Sequence, residues 1–170
     1  MTIKLLGAAM IIFGCGGFGL LICVAYQREE EMLRQLIYAL DHMQHELKYR
    51  LTPLPELTEG TSRSCKGKIS RYFHLLSAEL SKQTSTDVLA CVQAVLTTEG
   101  NWPVRVGKCL DVLSMSLGAF DAQGQLQSLE AVRELCAEEL NQMEENRTVR
   151  LRSYQTLGLC AGAALVILLV

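Results

Sequence analysis

Charged residues are missing from both ends of this chain, and apolar residues recur with helical spacing through its middle. Leu5 to Tyr26 and Ser153 to Val170 contain no Asp, Glu, Lys or Arg, and Lys4 is the one charge outside Arg28–Arg152. As helices these stretches measure ~33 Å and ~27 Å against a hydrocarbon core of ~30 Å, so residues 5–26 and 153–170 each predict a membrane span. In between, Leu33, Leu36, Ile37, Leu40, Met43 and Leu47 step by three or four and predict an amphipathic helix, with Arg34, Asp41, His45 and Lys48 on its wet side.

Further helices follow. Thr52 before Pro53 predicts an N-cap for a helix carrying Leu54 and Leu57, and Thr61 to Gly67 reads as a loop. A helix over 68–82 places Ile69, Tyr72, Phe73, Leu76 and Leu80 on one face. After a break at Gln83–Thr86, Ser85 or Thr86 caps a helix with Val88, Leu89, Val92, Val95 and Leu96 that stops near Gly100-Asn101. Trp102-Pro103 opens another with Val106, Leu110, Leu113 and Leu117, ended by Gly118. Asp121 caps the longest, 122–152, whose apolar line is Leu126, Leu129, Val132, Cys136, Leu140 and Met143. No segment alternates with period two between turn residues. The expected fold is all-α: a bundle of about six helices over 27–152 between the two spans.

Half of the 170 residues are apolar (49 %), which excludes a disordered tail, and the net charge of −2 is too balanced for a nucleic-acid binder. Seven cysteines, an odd number without C-x-x-C spacing, read as free thiols in a reducing compartment. A zinc site is not expected.

Arg28, Arg34, Arg147, Arg150 and Arg152 flank the spans on the side of the middle segment, so the positive-inside rule makes that segment cytoplasmic. Five glycines dilute the first span. Gly14, Gly16, Gly17 and Gly19 are expected to lie against another membrane helix, because small side chains let backbones approach. Gly158 and Gly162 form a G-x-x-x-G spacing in the second span, which fits either a helix contact or two tolerated glycines. A cleaved secretory signal, and a lipoprotein signal using Cys15 that would leave an exported lipid-anchored domain, compete with a permanent anchor.

No P-loop pattern occurs, so nucleotide binding has no support, and no cofactor or small-molecule substrate is expected. His42 and His45 share a helix face without forming H-E-x-x-H, and read as solvated histidines. Together with His74 they keep a membrane-bound enzyme of unknown activity open. Glu138-Glu139 and Glu144-Glu145 point apart on a helix and read as a solvated face.

Lys4-Leu5-Leu6-Gly7, Arg34-Gln35-Leu36, Ala39-Leu40, Thr52-Pro53-Leu54, Leu117-Gly118 with Asp121 and Gln125, and the closing Leu165-Val166-Ile167-Leu168-Leu169-Val170 occur in an order and spacing that resemble the stage III sporulation protein AB family over essentially the whole chain. That resemblance implies membership of the channel complex joining mother cell and forespore, needed for endospore formation. It also implies a central domain similar to the cytoplasmic domain of the type II secretion F protein. The implied partners are the secretion-type AA ATPase, the ring-forming AG and AH proteins and the forespore protein Q. The implied location is a multi-pass position in the mother-cell-derived membrane around the forespore, with the helical domain in the cytosol. No catalytic residue comes with the resemblance.

The expected role is a non-enzymatic membrane platform. The charged outer face of the last helix, Glu130, Arg133, Glu134, Glu138 and Glu145, is either a docking surface for the ATPase or simply solvated.

Overall fold

The computed structural model describes the backbone of residues 2–82, 88–117 and 122–169, and the side chains of residues 23–82, 88–117 and 123–146. The elements are α1 (Thr2–Arg50), α2 (Leu54–Ser64), α3 (Gly67–Ser81), α4 (Val88–Glu99), α5 (Val104–Ser116) and α6 (Ala122–Leu169). Among the described residues there is no strand, so the chain is all-α as its periodicity requires.

The two longest helices hold the whole of both charge-free stretches except Val170, and each continues without a break into the amphipathic middle. Two compact units result. One is Glu29–Leu140; the other joins Met1–Arg28 to Asn141–Val170. In the second unit the Tyr26 hydroxyl of α1 donates to the Met143 carbonyl of α6. Among the described residues no helix is long and apolar enough to cross a membrane; residues 5–22 and 153–170 lie outside those whose side chains are described.

The core of Glu29–Leu140 is built from the predicted stripes. Leu33, Leu36, Leu40 and Met43 of α1 are sealed from solvent together with Ile69, Tyr72, Phe73 and Leu76 of α3, Val106, Leu110 and Leu113 of α5, and Leu129 and Cys136 of α6. Each buried leucine contributes ~1.5–3 kcal/mol from lost apolar exposure. Tyr72 meets Phe73 and Trp102 edge-on, at ring-centroid distances of 5.1 and 5.8 Å.

Several boundaries differ from expectation. Thr52 is not the cap of α2. Pro53 occupies the cap position with no side-chain hydrogen bond, and the Thr52 hydroxyl lies 3.3 Å from Glu46 Oε2 instead. The cause is the preceding turn, where Leu51 takes a left-handed φ of 51° and sends Thr52 back towards α1. Thr61 to Ser64 are not a loop but the last turn of α2, their hydroxyls satisfied by carbonyls three or four residues back, as Thr61 to Leu57 at 2.7 Å. Gly100 and Asn101, both at positive φ, turn the chain between α4 and α5. The helix α5 ends at Ser116, with Leu117 extended behind it. The caps expected at Gly118, at Asp121 and at Ser85 or Thr86 lie outside the described residues.

Candidate interaction site

The outer faces of α1, α5 and α6 carry ion pairs that tie one helix to the next. On α6 the Arg133 guanidinium pairs with Asp41 of α1 at 2.5 Å and leans on Glu130 at 3.6 Å, and the Asp41 carboxylate raises the Arg133 pKa further. Arg133 is therefore a strut between α1 and α6 rather than a free docking cation. Glu134 and Glu138 remain exposed beside it, and Glu145 is exposed in the other compact unit. The five residues of the expected docking face thus divide into an internal pair, two open carboxylates of the central unit, and one residue of the terminal unit.

One residue overturns its sequence reading. Glu139 is buried, at 7 % exposure, and is not part of a solvated face. It accepts from Lys108 Nζ at 2.7 Å through Oε1 and is ion-paired to Arg105 through Oε2, both donors coming from α5. The hydrogen bond from Lys108 holds the Glu139 carboxyl below the usual range; burial opposes this, and Arg105 adds to it. Lys108 is raised in turn by Glu139. The physical reason lies in the apolar line itself. Glu139 stands three residues beyond Cys136, on the side that turns inward, so a carboxylate there needs cations from the facing helix. Those cations lie 31 and 34 residues away in sequence, too far for any local pattern to reveal.

One turn before Glu139 along α6, the buried thiols of Cys109 and Cys136 are hydrogen-bonded, which lowers the first and raises the second. The described free thiols are Cys23, Cys65, Cys91, Cys109 and Cys136. Burial lifts Cys65 to about 11. In the turn that leads into α5, Lys68 donates to the Gly100 carbonyl at 2.6 Å and to that of Asn101 at 3.1 Å, its ammonium 4.1 Å from the Trp102 ring centroid. It satisfies carbonyls where α4 stops, a contact unmarked in the sequence.

The histidines have separate partners. His42 is half-buried rather than solvated: its Nδ1 is 3.5 Å from the Thr61 hydroxyl, and it lines a cavity of about 450 Å³ with Glu46, Arg50, Thr52, Glu56, Leu57 and Gly60. His45 is exposed and packs on Tyr49, with ring centroids 4.7 Å apart. His74 lies 3.2 Å from Glu59, whose carboxyl it holds below the ordinary range. Gly14, Gly16, Gly17, Gly19, Gly158 and Gly162 lie outside the residues whose side chains are described.

Among the described residues this is an all-helical class of protein, with two long and four short helices and with polar side chains that join helix to helix. Residues 4–170 match the stage III sporulation protein AB family, and the chain belongs to it. It is 25 % identical over 170 residues to stage III sporulation protein AB of Bacillus subtilis (strain 168), covering 98 % of this chain and 99 % of the relative. A solved structure of stage III sporulation protein AB shares the fold with a TM-score of 0.62 at 17 % identity, over 72 % of this chain and 98 % of that one. The chain is a sporulation component by family.

Proposed function

We propose that this protein is a non-enzymatic membrane platform of the sporulation channel between mother cell and forespore. It would be anchored in the mother-cell-derived membrane by residues 5–26 and 153–170, with a cytosolic helical domain over 27–152 similar to the type II secretion F protein. The observation that carries this reading is the placement of charge. Apart from Lys4 every Asp, Glu, Lys and Arg falls within Arg28–Arg152, so α1 and α6 each pass from a charge-free half into an amphipathic half. A helix of that composition satisfies its own backbone in lipid and presents an apolar stripe to its neighbours in water. The arginines that flank the spans favour a cytosolic middle.

In this role the platform holds the AA ATPase beneath the AG and AH rings. The open carboxylates Glu134 and Glu138 are the docking candidates, with Glu130 and Arg133 behind them and Glu145 separate; Gly14, Gly16, Gly17, Gly19, Gly158 and Gly162 are candidates for helix contacts in the bilayer. Full-length protein carrying Glu134→Lys and Glu138→Lys tests the docking. Co-purification of the AA ATPase from sporulating cells should fall several-fold while the protein stays in the membrane, and unchanged co-purification removes Glu134 and Glu138 from the interface.

A further inference from the structure

Four described residues take a left-handed φ: Leu51 at 51°, Gly67 at 64°, Gly100 at 44° and Asn101 at 49°. Glycine and asparagine tolerate that region, whereas a leucine there crowds its own backbone. Packing within the chain does not offset this, because the Leu51 side chain is 72 % exposed. Strain kept at an exposed apolar residue points to a contact made outside the chain. Tyr49, 67 % exposed, extends the same corner.

The corner stands beside a socket. Arg50 and Thr52, the chain neighbours of Leu51, both line the cavity of about 450 Å³ between α1 and α2. The buried Leu57 lies at its inner end and Gly60 leaves one wall bare, where a Cβ would meet only the His42 ring, at 3.7 Å. Exposed Arg50 and Glu56 stand at the mouth. Arg50 is held loosely, 3.7 Å from Glu46 with its side chain 74 % exposed, and Glu56 has no partner among the described residues.

We propose that the occupant is a second copy of this chain: about a two-fold axis beside Leu51, each copy inserts Leu51 into the other's cavity and pairs Arg50 with the other's Glu56. A projection and a recess side by side on one surface close reciprocally under two-fold symmetry, so each copy supplies both halves of the contact. Charge favours the same occupant, since the mouth carries one cation and one carboxylate and the two-fold sets each against its opposite. Leu51 loses its exposed apolar area against Leu57 and the bare wall at Gly60, which offsets the left-handed strain. A contact of one side chain and one cation from each copy is small, so the association depends on concentration.

Sedimentation equilibrium of the full-length protein in detergent, over a range of concentrations, tests this. The wild-type protein should form a concentration-dependent dimer. Leu51→Gly should weaken it by roughly tenfold or more, the scale for truncating a central interface side chain, while the relieved backbone keeps the fold at least as stable. Glu56→Arg should dissociate the dimer, and Arg50→Glu with Glu56→Arg in one chain should restore it. When two tagged copies are mixed, Leu51→Cys of one should form a disulfide with Gly60→Cys of the other under copper-phenanthroline, as mapped by mass spectrometry. A monomer at every concentration overturns the proposal. So does a dimer whose dissociation constant is unchanged in Leu51→Gly, the result expected if the copies associate through their charge-free ends instead.

Discussion

Glu139 of α6 accepts a hydrogen bond from Lys108 of α5 at 2.7 Å, with Arg105 on its other oxygen, so one buried carboxylate joins two helices through two cations. Removing the charge of the acceptor weakens both contacts. Glu139→Gln should lower unfolding stability by about 1–3 kcal/mol, the range for a broken charge-assisted contact in a partly buried site. Urea titration of the purified full chain in detergent checks this. A loss within experimental error would mean that the contact is no stronger than an exposed pair.

The same contact sets a pH dependence. The Glu139 carboxyl is held below its unfolded value of 4.5, so its stabilising contribution is present above that value and is lost as pH falls through the lower folded value. The stability gap between the wild-type protein and Glu139→Gln should be constant from pH 7 to about 5.5 and should close on further acidification. Denaturation series at several pH values measure it.

Leu51 holds a left-handed φ of 51° with its side chain 72 % exposed. A leucine gains nothing from burial there, whereas glycine relieves the crowding at its Cβ. Leu51→Gly should therefore raise stability by roughly 0.5–1 kcal/mol, against the destabilisation that glycine brings at an ordinary loop position. The shift in urea midpoint gives the sign directly.

Phe73 is sealed in the core of the central unit beside Tyr72. Phe73→Ala should cost about 3–5 kcal/mol, through lost transfer free energy and the cavity left behind. Loss of helical circular dichroism at lower urea, with the membrane fraction unchanged, would tie the damage to the central unit.

The helices were legible because their apolar positions carry the burial. Leu33, Leu36, Leu40 and Met43 lie on one stripe of α1, and Ile69, Tyr72, Phe73 and Leu76 on one stripe of α3, and all are sealed from solvent. The boundaries were less legible because hydroxyl residues serve two ends. Thr61 and Ser62 resemble loop residues in sequence, yet they return their hydroxyls to helix carbonyls and extend α2. Thr52 looked like a cap until the left-handed turn at Leu51 redirected it to Glu46.

Of the charged residues on α6, the sequence pattern shows which face is polar but not which charges are taken up by other helices. Glu134 and Glu138 are open as the helical wheel requires, but Arg133 is committed to Asp41, 92 residues away, and Glu139 turns inward to α5. Partners that distant leave no trace in a window of one or two helical turns. Only the packing of α1, α5 and α6 within the central unit decides which charges stay exposed.

Alkaline carbonate extraction of vesicles from sporulating cells tests the platform reading most directly. The full-length protein should remain in the membrane pellet, held by two apolar helices. Its quantitative release into the supernatant would contradict membrane anchoring and the platform role that depends on it.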